Sequence, residues 1–287
     1  MNAPSTDRRR GSARRPGSAA GRGVAARRGA HAASVVGALA VLAAGWQLYV
    51  WVGDVPTYQV ASPAEAARAA WSNAPLLADR CWVTMQGAVL GLAASAAVAL
   101  LLAVAAIRLP LVRTPLTAYA LLFRTLPIVG VAPLLTLITG RGLGTSVACV
   151  VVVTVFTLLI AALDGMESLP AEVRELQDLY ATPFARRLRT GLLPNAVGSL
   201  LVGLRVAAPM AVLAALLAEW LSGLEGVGEL MTTSLANRDS ELLWATSAVA
   251  ALLGLVAYAL PSGLVALADR FGFAVAPTAS GTTGGAR

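Results

Sequence analysis

The chain has 287 residues, 57% of them hydrophobic and only 13% charged, with net charge +7 and a mean hydropathy of +0.72. Soluble domains carry roughly 25% charged residues, so a surface dressed for water throughout is excluded and lipid must be the main solvent. Apart from His31 every basic residue is arginine. Without lysine there is no phosphate-binding loop ending in Gly-Lys-Ser/Thr and no lysine Schiff base. With a single histidine there is no His-Glu-x-x-His zinc site and no Ser-His-Asp triad in the membrane core. Cys81 and Cys149 sit in or beside apolar runs and read as small buried hydrophobes. No catalytic, cofactor-binding or metal-binding residue is expected. Aromatics are sparse at 6%, and bulk supplied by Ala, Leu, Val and Gly suits closely packed helices better than a lipid-facing barrel.

In chain order, residues 1–32 hold eight arginines among Gly, Ser, Ala and Pro, a composition that cannot bury a core. Without interleaved aromatics this stretch reads as a disordered, topology-setting tail rather than a nucleic-acid binder. Charge-free apolar runs predict about six membrane crossings near 33–53, 82–107, 115–139, 144–163, 195–221 and 242–267. Pro127 and Pro133 fall in the third and Pro209 in the fifth, where neighbouring helices can satisfy the freed carbonyls. After the first run, Ser62-Pro63-Ala64-Glu65 is a helix-start signal and predicts a short amphipathic helix near 63–73 on the outer face. Gly87, Gly91, Ser95, Ala99 and Ala103 recur every four residues, a stripe that lets two helices approach closely. The transmembrane domain ends near 272, and 273–287 is a flexible tail. Placing both termini in the cytoplasm puts sixteen arginines inside and four outside, which fixes the orientation under the positive-inside rule. Arg124 and Arg205 fall within or at the ends of crossings, and Glu219 ends the fifth. Such groups need a partner or water, so Arg205 and Glu219 are candidates for the channel or gate; helix-end charges that snorkel to the interface are the plainer reading.

Residues 164–194 form a connection long enough to carry a function of its own. Ala171 to Leu179 is helix-compatible after Pro170, Thr182-Pro183 interrupts, and Phe184 to Arg189 resumes before Leu193-Pro194. The reading is helix, turn, helix, with acids on the first arm and arginines on the second. A rigid two-armed loop between membrane helices can pass motion to and from a soluble partner. A solvated loop with basic residues near lipid headgroups is the plainer alternative.

This loop resembles the coupling loop of ATP-binding-cassette (ABC) importer permeases: Glu-Ala-Ala, three residues, Gly, nine residues, Ile, one residue, Leu-Pro. Without gaps, Glu175 takes the acidic position, Leu176 and Gln177 the alanines, Ala181 the glycine, Gly191 the isoleucine, and Leu193-Pro194 closes on phase. A shift of one residue puts Tyr180 at the glycine instead. Either residue would make a left-handed turn costly. The resemblance extends over about 33–272 and is nearest the nitrate/sulfonate/taurine branch. It runs through Gly45-Trp46-Gln47-Leu48, Ser62-Pro63, Trp82-Val83-Thr84, Pro127 to Leu134, Gly140 to Gly144, Gly203-Leu204-Arg205, Ala218-Glu219 and Gly226 to Met231.

The resemblance implies an all-α, polytopic permease subunit with a cytoplasmic helix-turn-helix coupling loop. Two such subunits, identical or different, would form the path. A dimer of ATP-binding subunits would dock on the loops, and an extracellular solute-binding protein would deliver a small solute such as nitrate, a sulfonate, taurine or a vitamin precursor. The coupling residues it implies are Glu175, Ala181, Thr182, Pro183, Phe184, Arg186, Arg187 and Pro194, with Phe184 as apolar anchor. A secondary transporter or channel working without an ATPase is the alternative; it would leave the long loop unexplained.

Overall fold

The protein is seen in a computed structural model that describes residues 37–270 apart from 39, 55, 57, 58, 110, 112, 114, 117 and 119–126. Both predicted tails and Arg124 lie outside the described residues. Among those described, the regular structure is entirely helical. The chain divides into two units, 1–56 and 57–287. The first contributes a short apolar helix, α1 (Ala40–Val52), within the first predicted crossing.

In the second unit, α2 (Pro63–Ser72) begins where the sequence signal placed it. The Ser62 N–H donates to Glu65 Oε2 (2.7 Å) and the Glu65 N–H to Ser62 Oγ (3.3 Å), so each side chain satisfies a backbone donor that the first turn leaves free. Its small buried face, Ala66 and Ala69, rests on the C-terminal helix. α3 (Ala74–Arg108) then starts eight residues before the crossing predicted at 82. Asp79 and Arg80 look like loop residues by hydropathy, yet Arg80 is drawn into the helix by acids further along the chain. It pairs with Glu225 at 2.9 Å and Glu229 at 3.6 Å.

α4 (Ile128–Thr139), α5 (Leu143–Glu167), α6 (Ala171–Leu179), α7 (Phe184–Arg187), α8 (Leu193–Ser222), α9 (Val227–Ala236) and α10 (Ser240–Arg270) follow. Pro127 stands at the start of α4 rather than inside it, while Pro133 and Pro209 lie within helices. α7 runs through one π turn (Leu188–Leu192) into α8. Among the described residues four helices are long and apolar enough to cross a membrane: α3, α5, the continuous α7–α8 rod and α10. α1 and α4 are shorter apolar helices inside two further predicted crossings. Exposed Leu101, Leu137, Leu260 and Leu264 suit a lipid-facing surface.

The core is built of small residues because the helices are held by close packing rather than by expulsion of water. Every member of the Gly87–Ala103 stripe is buried. Gly87 abuts Ser146 and Gly91 abuts Val150 so closely that a Cβ would overlap them. One step along, the Ser95 and Thr154 hydroxyls bond at 2.7 Å. Ala99, Ala103, Ala162, Ala196, Ala207, Leu158, Leu159 and Met166 complete the seam where α3, α5 and α8 meet. α5 is thus the central post, and its end leads directly into the 164–194 connection.

Candidate functional site

The connection is a folded, clipped element. α6 ends at Tyr180, and Ala181 adopts a left-handed φ of 46°. The Thr182 N–H donates to Gln177 O (2.9 Å) and the Ala181 N–H to Asp178 O (3.0 Å), the double bond of a Schellman helix stop. Of the two registers open in the sequence, the ungapped one is realised: Ala181, not Tyr180, occupies the turn that favours glycine. Its methyl costs roughly 1–2 kcal/mol there, so Ala181→Gly should stabilise the protein. The expected rise in thermal midpoint in detergent is about 2–8 °C; no rise would mean the left-handed turn is not populated.

Pro183 then starts α7, accepting from the N–H groups of Arg186 (2.9 Å) and Arg187 (3.0 Å). Arg187 reaches back across the turn to Asp178 Oδ1 at 2.8 Å, so it closes the two arms on each other. Arg174 donates to the carbonyls of Glu167 (2.9 Å) and Leu169 (3.3 Å), capping the end of α5 with a cation as its dipole favours. Asn195, beside Pro194, donates to Gly165 O (2.8 Å) and Ser168 Oγ (3.0 Å). The π turn lies just ahead of Pro194, where a proline ring would otherwise crowd the carbonyl four residues back.

Of the predicted coupling residues, Glu175, Ala181, Pro183 and Arg186 are exposed and Thr182, Phe184 and Arg187 are half-buried. Phe184 lies under the Arg108 guanidinium, 5.3 Å from ring centroid to Cζ, so it ties α7 to the end of α3. With Arg113, Arg174 and Arg187 it lines a cavity of about 500 Å³ floored by Ile107, Met166 and Leu192. Outward apolar surface comes instead from α6: Val173, Leu176, Leu179 and Tyr180 form a stripe, with Leu179 81% and Tyr180 74% exposed. The side of α6 turned inward carries the buried Gln177. The exposed remainder of α6 carries Glu172, Glu175 and Asp178 as well as this stripe, and exposed apolar surface of this kind is costly in water unless something covers it. The stripe is legible in the sequence at three- and four-residue spacing, whereas Arg108, 76 positions from Phe184, has no local signal.

Gly191, standing at the isoleucine position, faces Gln177, standing at an alanine position. A Cβ on Gly191 would come within 2.8 Å of Gln177 Nε2 and 3.4 Å of Leu169. The large residue on one arm fills space left by the small one on the other. Gly191→Ile alone should therefore destabilise by about 1–3 kcal/mol, and Gln177→Ala added to it should recover most of the loss. A thermal double-mutant cycle with additive effects would refute the pairing.

The remaining two candidates lie in α8. Arg205 is exposed about 18 Å along the helix from Leu193, taking 1.5 Å per residue. Its Nε donates to Tyr258 Oη at 3.0 Å, a second bond runs from its Nη2, and its Cζ lies 4.9 Å from that ring's centroid. Tyr258 is neutral, so the charge itself is unbalanced by any acid among the described residues. Glu219 is fully buried. Its Oε2 accepts from the Gly228 N–H (2.7 Å) and the Thr84 hydroxyl (3.1 Å). The structure does not bring Arg205 and Glu219 together, and neither joins the α6–α7 element.

The sequence profile described as "Binding-protein-dependent transport system inner membrane component" matches residues 83–271. The chain is 27% identical to a probable ABC transporter permease protein of Haemophilus influenzae over 232 residues, 78% of this chain and 90% of that one. It is 29% identical over 136 residues to the formylaminopyrimidine transport permease protein of Halalkalibacterium halodurans, covering 47% and 54%. To the riboflavin transport system permease protein of Chloroflexus aurantiacus it is 27% identical over 235 residues, covering 81% and 88%.

Proposed function

Since the chain belongs to the binding-protein-dependent transport system inner membrane components, we propose that it is the membrane subunit of an ATP-driven importer whose energy comes from a separate ATP-binding subunit. The observation that carries this is the clipped α6–α7 element with its outward apolar stripe, seated directly on the end of the central helix α5. A chain without lysine has no nucleotide-binding loop of the Gly-Lys-Ser/Thr kind, so the coupling must cross an interface.

In this reading α6 offers Leu176, Leu179 and Tyr180 to a groove on the ATP-binding subunit, with Glu175 and Arg186 supplying exposed charge. Phe184 and Arg187 keep the element rigid, so that a push on α6 reaches α3 and α5. Two permease subunits enclose the path, an extracellular binding protein delivers the solute, and both termini face the cytoplasm of a cell or inner membrane. Arg205 is the channel candidate, since an unbalanced cation at this depth is stabilised by facing water rather than lipid. The solute is small, anionic or zwitterionic: nitrate, a sulfonate, taurine or a vitamin precursor. The names of two relatives favour the last of these. Affinity purification of the tagged permease from its own membranes tests the reading. An ATP-binding subunit should copurify and its hydrolysis should drive uptake into proteoliposomes. Solute movement by the permease alone, without nucleotide, would overturn it.

A further inference from the structure

Glu219 is a fully buried carboxylate near the end of a membrane-crossing helix, and its surroundings are specific. α9 begins at Val227, and the N–H groups of its first residues have no acceptor within the helix. The Val227 N–H donates to Thr84 Oγ1 (2.9 Å) and the Gly228 N–H to Glu219 Oε2 (2.7 Å). The Thr84 hydroxyl in turn has Glu219 Oε2 and Arg80 O as acceptors, each at 3.1 Å. One carboxylate and one hydroxyl, from α8 and α3, thus together cap a third helix. The carboxyl group also sits at the positive end of that helix, which favours its ionised form over what burial alone would allow.

Space for this arrangement is made by two glycines. A Cβ on Gly226 would overlap the Glu219 carboxyl group, and one on Gly228 would overlap Leu216 O. Above the cap a second, more exposed tie repeats the connection, with Arg80 on α3 bridging Glu225 and Glu229. α9 therefore meets α3 and α8 through polar bonds at one end, while Val227 and Leu230 are buried along its length. Glu219 Oε1 is buried without a hydrogen-bond partner among the described residues, so the cap works below its full capacity for bonding.

We propose that Glu219 is a positioning residue for transport: it touches no solute, but with Thr84 it locks α9 to α3 and α8 so that their ends move as one leaf. The use of that leaf in transport rests on the permease reading, whereas the lock does not. The fully buried Val227 is the natural reporter. In the full-length protein in membrane vesicles, with Cys81 and Cys149 replaced, Val227→Cys should react slowly with N-ethylmaleimide. Thr84→Val or Glu219→Ala should accelerate labelling by about tenfold or more, since each removes a bond to a charged or capping group. Thr84→Ser, which keeps the hydroxyl, should stay within about twofold of the parent. Unchanged labelling in both Thr84→Val and Glu219→Ala would overturn the lock. Labelling by Thr84→Ser as fast as by Thr84→Val would also overturn it, because side-chain volume rather than the bond would then hold α9. If Glu219→Ala fails to accumulate, the two Thr84 variants decide alone. In the assembled transporter, faster labelling of Val227→Cys during ATP turnover would overturn the single leaf, even with import intact.

Discussion

Leu179→Glu should abolish capture of the ATP-binding subunit while leaving the permease itself as stable as before. Leu179 is 81% exposed at the end of α6, and its neighbours Leu176 and Tyr180 are 53% and 74% exposed. Leu179 belongs to no core cluster among the described residues, so a charge there disturbs no core. At an interface the same change desolvates a carboxylate against apolar surface, and central positions of this kind are worth about 2 kcal/mol or more. The expected result is a drop of about thirtyfold or more in copurified ATP-binding subunit, with an unchanged thermal midpoint in detergent. Phe184→Ala is the instructive contrast. It removes the contact with Arg108, loosening α7 from α3, and should weaken the coupling of hydrolysis to uptake more than it weakens binding. If Leu179→Glu binds normally and Phe184→Ala does not, the docking surface lies on α7 rather than on the α6 stripe.

Gly165→Val should lower the yield and the thermal midpoint markedly. A Cβ at Gly165 would stand 2.8 Å from Ala196 Cα and 2.8 Å from Ser199 Cβ. The first of these atoms is backbone, so no rotamer change can make room. The Gly165 carbonyl also accepts from Asn195 Nδ2, and parting α5 from α8 would break that bond as well. Overpacking of this sort costs about 1–3 kcal/mol, occasionally more; here it falls at the crossing that carries the 164–194 element. Gly254→Val makes the control, because open space surrounds that position on α10. Equal yields and thermal midpoints for the two variants would show that α5 and α8 do not cross as closely as described.

Several parts of this molecule were open to inspection before any coordinates. The absence of lysine, the apolar runs and the four-residue recurrence from Gly87 to Ala103 are properties of composition and period, and they carry the fold class and one helix seam. The start of α2 was legible because Ser62, Pro63 and Glu65 act within a single turn. The helix, turn and helix between 171 and 187 were legible for the same reason. Hydropathy misled where charge is satisfied at a distance. Arg80 looked like the end of a loop because its partners, Glu225 and Glu229, lie far along the chain.

Sequence alone established a lipid-dissolved bundle, a bent connection between two crossings, and a chain without lysine and so without a Gly-Lys-Ser/Thr loop. These follow from local rules: periodicity, capping and the kinds of side chain present. Tertiary structure decided that Ala181 takes the left-handed turn and that Phe184 is held under Arg108 while α6 shows its apolar side. It also decided that Gln177 fills the space beside Gly191 and that Glu219 caps a helix instead of reaching for the surface. The Ala181 turn closes within six residues and Gln177 lies fourteen from Gly191, but Phe184 meets Arg108 across 76 positions and Glu219 meets Thr84 across 135. Helix packing sets the two long meetings, and no short window along the sequence contains them.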